Sequence, residues 1–295
     1  MNMIDKLKIK AQLVTWQYFN LKRYNLNLVK SLLIATLFFS ILSCSNDDTQ
    51  TVARFTELVM EDEFDTDGAP NSTIWDYDIG TGTNGWGNNE LQFYTDRVDN
   101  VKVENGVLLI TAKEESYEGS AYTSARLLTK GLFEQAYGRF EARIWLPYGQ
   151  GIWPAFWLLG ANDEEIWPQI GEIDIMEYRG QEPTKIFGSV HGPGYSAGEA
   201  ITKSYILEND RFDTGFHVFG IEWGPEFINF YADDVLYNQI TPADVTGEWV
   251  FDQPFYILMN VAIGGSFVGS PNSETTFPQT MLVDYVRVYK SNGLN

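Results

Sequence analysis

GRFEARIWL, residues 138–146, alternates without a break. Phe140, Ala142, Ile144 and Leu146 point one way, and Arg139, Glu141, Arg143 and Trp145 point the other. A period of two is the signature of a half-buried strand. Working outward, HVFGIEW (217–223) and FINFYADDVLYNQI (227–240) repeat the pattern, with Asp233-Asp234 as a turn. VKVENGVLLITA (101–112) reads as a hairpin around Asn105-Gly106. PFYILMNVAI (254–263) and MLVDYVRVYK (281–290) close the chain. No long stretch carries a helical period with caps. Many short strands punctuated by Gly, Pro and Asn predict an all-β sandwich or barrel.

The segment GEIDIMEYRG, 171–180, sets three carboxylates among Ile and Met. Glu172 and Asp174 are two apart and share a strand face. Glu177 is five from Glu172, so a regular strand would turn it away. A bulge at Ile175-Met176, one extra residue, would return Glu177 to the face of the other two. Two carboxyl groups about 5–5.5 Å apart perform retaining glycoside hydrolysis, and a neighbouring acid raises the pKa of the proton donor. The plain alternative is a solvated acidic face with Ile173, Ile175 and Tyr178 inward. Trp153, Trp157 and Trp167 just upstream favour the sugar reading, because flat rings cover the C–H faces of sugars. One of Trp153 and Trp157 is expected in the core, since both would not easily share one surface.

The 295 residues suffice for one large domain after a leader. The net charge is −20. Residues 1–43 contribute +5, so the remainder is near −25. Such a surface excludes nucleic acid as a partner and disfavours strongly anionic polysaccharides. Lys30 precedes SLLIATLFFSIL, too short to span a bilayer comfortably, and then Ser43-Cys44. This arrangement resembles a bacterial lipoprotein signal, which implies cleavage before Cys44 and a membrane-anchoring lipid on its sulfur. The following SNDD resembles a surface-export signal of Bacteroidota lipoproteins. The expected organisation is therefore a signal peptide over 1–43, a lipidated Cys44 and polar tether over 44–54, and one catalytic domain over 55–291. The expected location is the outer membrane and cell surface of a Gram-negative bacterium, with the protein a monomer.

GWGNNELQFYT (85–95), SARLLTKG (124–131), YGRFEARIWLPYGQGIWPAFWLLG (137–160), WPQIGEIDIMEYRG (167–180), HVFGIEW and MLVDYVRVYK together resemble glycoside hydrolase family 16. Within that family they look like the bacterial laminarinases, which are endo-β-1,3-glucanases. The resemblance implies a concanavalin-like jelly-roll β-sandwich with an open substrate cleft and a retaining mechanism. It implies Glu172 as nucleophile, Glu177 as acid/base and Asp174 as the modulating carboxylate. It implies Asn88 and Arg126 as hydrogen-bonding partners of substrate, Trp153 or Trp157 as a stacking platform, Trp167 beside the reacting sugar, and His191 near the acid/base. Phe267, in GGSFVG, stands where laminarinases often carry a cleft Trp. The expected substrate is a neutral β-glucan such as laminarin, with mixed β-1,3-1,4-glucan second. The family also acts on other polysaccharides.

Catalysis needs no cofactor on this reading. A structural Ca2+ is expected, because Asp284 shares parity with Leu282, Val286 and Val288 and an acid on an apolar face wants a partner. By resemblance its ligands are Asp284, Gly106 and Glu63. Two readings compete with the hydrolase. One is a non-catalytic surface glycan-binding lipoprotein, although all three acids are retained. The other is a serine esterase, from G-x-S-x-G at Gly194–Gly198 with His217 as the only later His; it lacks the strand and helix that such an elbow requires.

Overall fold

The structure, a computed structural model, describes residues 55–291. The expected signal peptide, Cys44 and tether lie outside the described residues. Among the described residues no helix is long and apolar enough to cross a membrane.

Two sheets form the domain. The seven-stranded sheet runs, edge to edge, Ile201–Ile206, Lys185–His191, Glu172–Tyr178, Ile152–Gly160, Phe255–Ile263, Arg126–Leu128 and Asp76–Tyr77. The ten-stranded sheet covers its back. At its centre the strand Gln279–Ser291 lies between Gly138–Trp145 and Val107–Tyr117, and its far half also pairs with Phe55–Asp62. Inward residues of both sheets interleave in one core. Phe140, Ala142 and Ile144 come from one side, and Phe156, Ile173, Ile175 and Met259 from the other; all are fully buried. The alternation read in GRFEARIWL therefore faces its apolar half to the core. This is the expected all-β jelly-roll sandwich. The seven-stranded sheet leaves its second face free for a site.

The calcium reading needs correction. Asp284 does not lie on the apolar face. One extra residue is inserted between Val283 and Tyr285 in pairing with Gly138–Trp145, so the buried set switches from Met281 and Val283 to Val286 and Val288. Asp284 falls at the switch, keeps 36% of its side-chain surface, and pairs with Arg143 at 2.6 Å. Glu63 receives Arg287 through two hydrogen bonds, 2.6 and 2.9 Å. Gly106 closes the predicted hairpin turn at φ 74°. Arg143 thus already neutralises Asp284, the one carboxylate that the resemblance assigns to the cation beside the backbone carbonyls of Gly106 and Glu63.

On the ten-stranded sheet His217 Nδ1 meets Asp233 Oδ2 at 2.6 Å. The hydrogen bond to Asp233 raises the His217 pKa. A raised histidine stabilises the fold fully below its unfolded value, about 6.5, and loses that contribution as pH rises through the folded value. The pair is partly exposed, so about 0.5–1 kcal/mol is expected. In urea melts from pH 5 to 9, the stability gap between wild type and His217→Gln should close by that amount on the alkaline side.

Candidate active site

The strand Glu172–Tyr178 departs from regular register against both neighbours. On one side Asp174 pairs with Ser189 and Glu177 with Phe187, three steps against two. On the other side Asp174 pairs with Trp157 and Met176 already pairs with Phe156, two steps against one. The extra residue lies at Ile175-Met176, where the odd spacing predicts it. Ile173, Ile175, Met176 and Tyr178 are all fully buried in the core. Two consecutive core residues, Ile175 and Met176, are what a bulge permits and a flat strand forbids. Glu172, Asp174 and Glu177 are thereby left on the opposite, cleft face.

His191 lies across the ladder from Glu172. Its Nε2 is 3.0 Å from Asp174 Oδ2 and 3.6 Å from Glu172 Oε1. The sequence reading set His191 near the acid/base Glu177; its direct contacts are instead with the other two acids, and only a protonated ring would act on Glu177 through charge. Glu177 Oε1 accepts a hydrogen bond from Trp153 Nε1 at 3.1 Å. Glu172 keeps 18% of its side-chain surface against 6% for Asp174, so a ligand in the cleft reaches the glutamate first.

Burial pushes all three carboxyls well above their ordinary range, and the charge of Asp174 pushes the two glutamates further. All three rise to about 8. His191 and Arg126 act the other way on Glu172. Three acids in one desolvated patch cannot all ionise at neutral pH, so the site holds a proton to give.

Aromatic rings wall the cleft. Trp153 and Trp157 both point to the cleft side of their strand, yet Trp153 is buried in a small apolar cluster with Ala262 and Val268, as expected for one of the pair, and Trp157 stays partly open. They are four residues apart, an even number, so the strand sends both the same way. Trp153 packs on Phe267 with ring centres 5.0 Å apart, so Phe267 supports the ring that donates to Glu177. Trp157 donates from Nε1 to Asn260 Oδ1 at 2.8 Å. Arg126 stacks on Trp157 and on Trp86, 4.7 Å from each, and pairs with Asp78 at 2.9 Å. Trp167 is 44% exposed, with its ring 5.9 Å from that of His191. Asn88 stands on the tight turn Gly85–Asn89 and donates to Glu90 at 3.3 Å.

Sequence reasoning did not single out Glu90, Gln92, Tyr94 and Asn260. Glu90 Oε2 accepts from Gln92 Nε2 at 2.7 Å and from Tyr94 OH at 3.2 Å; Tyr94 OH accepts from Asn260 Nδ2 at 3.1 Å. This chain ends at Trp157 and fixes its ring. A usable signal was present: polar residues inside otherwise apolar strands, at Gln92 and Asn260.

Known proteins share this framework. A family model described as "Glycosyl hydrolases family 16" matches residues 87–287. The chain is 43% identical over 269 residues to a β-glucanase of Rhodothermus marinus, covering 87% of this chain and 93% of that protein. It superposes on the catalytic domain of an endo-1,3-β-glucanase (laminarinase) of Thermotoga petrophila RKU-1 with a TM-score of 0.78. That match has 45% identity and covers 82% of this chain and all of the other. The laminarinase of Rhodothermus marinus superposes with a TM-score of 0.76 at 44% identity, covering 81% and 99%.

Proposed function

Because the chain belongs to glycosyl hydrolase family 16, we propose that it cuts internal β-1,3-glucosidic bonds of laminarin-type glucans with retention of configuration. The bulge at Ile175-Met176 carries this reading, since it sets Glu177 on the face of Glu172 and Asp174. Glu177, raised by burial, gives its proton to the leaving oxygen. The Glu172 carboxylate attacks the anomeric carbon and forms the glycosyl-enzyme. Glu177, now ionised, takes a proton from water, which releases the sugar. Asp174 keeps the acid's pKa high by its charge. Trp153 aims Glu177, and Trp157, Trp167 and Arg126 present rings and a cation to the glucan. Asn88 serves as a further polar contact.

The chemistry needs no cofactor. A structural cation held by Asp284 and the backbone carbonyls of Gly106 and Glu63 would have to displace Arg143 from Asp284. The acidic balance of the chain supports a neutral glucan, with mixed β-1,3-1,4-glucan as a second substrate. The leader and the Ser43-Cys44-SNDD sequence support a lipid-anchored enzyme at the bacterial surface. There Cys44→Ser should move the protein from membranes to the soluble fraction.

Product analysis on laminarin, lichenan, agarose and carrageenan side by side tests the substrate. Laminarin should be cut to oligosaccharides, and agarose and carrageenan should not. Proton NMR should show the β-anomer of the product first. An α-anomer appearing first would sink the double-displacement mechanism.

A further inference from the structure

His191 is held from both sides. Its Nδ1 accepts a hydrogen bond from the backbone N–H of Ala197 at 3.1 Å. Its Nε2 faces Asp174 Oδ2 at 3.0 Å. That oxygen is buried and has no aligned hydrogen-bond donor among the described residues, so the 3.0 Å approach of Nε2 is a close contact that a small turn of the ring would convert into a hydrogen bond. A ring nitrogen that accepts a hydrogen bond carries no proton, so the proton of the neutral ring sits on Nε2, toward the acids.

The amide belongs to the loop whose G-x-S-x-G spelling suggested an esterase. The loop is firmly built. Gly192 and Tyr195 exchange two backbone hydrogen bonds of 3.0 Å. The Tyr195 ring is fully buried beside Phe251, and its hydroxyl donates to Glu248 O at 2.7 Å. Thr246 Oγ1 donates to Gly194 O at 2.9 Å. Ala197 itself sits at φ 50°, a left-handed conformation that a residue with a Cβ adopts only when its surroundings impose it. The conformation aims its N–H at the ring.

We propose that this loop is a positioning device that locks His191 as the Nε2–H tautomer, so that an N–H rather than a lone pair faces Asp174 and the bound proton of the site is left to Glu177. The proposal rests on the reading of Glu177 as the acid. In the opposite tautomer two lone pairs would face each other across 3.0 Å. A proton on Asp174 Oδ2 would relieve that clash, and Asp174 would then compete with Glu177 for it. Neutralising Asp174 also removes the charge that holds the Glu177 proton in place. Glu172 and Asp174 face the ring from the neighbouring strand, Trp167 covers it, and Ala197 closes the loop side.

The chain has two histidines, so labelling imidazoles with 15N gives two ring systems, with His217 as internal reference. At neutral pH, His191 of the wild type should carry its proton on Nε2 and none on Nδ1. Replacing Ala197 by lactic acid through nonsense suppression turns its amide into an ester and deletes that one N–H. This variant should populate both tautomers and lower kcat on laminarin several-fold with little change in KM. Its alkaline pH limb should also move to lower pH. Ala197→Gly retains the N–H and should retain the wild-type ring signals, and Ser196→Ala should retain full activity. A proton on Nδ1 in the wild type would overturn the proposal even if the ester variant did not fold. An ester variant with an unchanged tautomer and pH limb would overturn it too. Failure of the hydrolase reading would show separately, as undiminished activity in Glu172→Gln.

Discussion

Glu172→Gln should lower kcat on laminarin by roughly three to five orders of magnitude while laminari-oligosaccharide binding stays within a few-fold of wild type. Glutamine matches the shape of glutamate, so the buried neighbours Ile173 and Ile175 and the ladder to His191 are undisturbed. It lacks the anionic oxygen that must bond to the anomeric carbon. Removing one buried negative charge beside Asp174 also lessens repulsion in the site. The variant should therefore melt no lower than wild type, and loss of activity cannot be blamed on loss of fold. Reducing-sugar assays and calorimetric titration measure the two halves. Hydrolysis within tenfold of wild type would refute Glu172 as nucleophile.

Glu177→Ala should behave differently, and the difference separates the two glutamates. On laminarin, whose leaving group needs a proton, kcat should fall roughly 10²–10⁴-fold. On an activated aryl glycoside, whose leaving group departs unaided, formation of the glycosyl-enzyme should be far less affected. Azide added to the variant should enter the vacated space and yield a β-glycosyl azide. Equal losses on both substrates, with no azide product, would reverse or remove the assignment. The wild type adds a pH signature. Burial first, and then the Asp174 charge, raise Glu177 above the usual carboxylate range, which favours its protonated form as the acid. Activity should fall on the alkaline side, as Glu177 loses that proton.

Most of the architecture was legible because period-two alternation reports directly which side chains meet the core. The bulge at Ile175-Met176 was legible for a special reason. Three carboxylates at an odd spacing are costly to split between core and cleft, so chemistry demanded the irregularity. The insertion at Asp284 carried no such demand. Val283, Asp284 and Tyr285 alternate plausibly in either register, and the choice is made by the partner strand, where Arg143 offers Asp284 a counter-charge. Parity counted within one strand cannot see that. Trp153 and Trp157 share a strand face by parity, and the crowding that buries Trp153 with Ala262 and Val268 leaves only Trp157 partly open. The network from Glu90 to Trp157 joins residues up to 170 positions apart, and such pairings are set by sheet order.

The strand Gln279–Ser291 also decides when the molecule can exist. It is the last described strand, yet it sits in the middle of the ten-stranded sheet and touches strands that begin at Phe55, Val107 and Gly138. A ribosome delivers it after every other described strand. Until it arrives, that sheet has a gap at its centre, and the edges of Gly138–Trp145 and Val107–Tyr117 have no partner. Pairings this distant along the chain close slowly. Folding of this sheet waits for that strand, and a chain broken off before Gln279 would leave two open edges that invite aggregation.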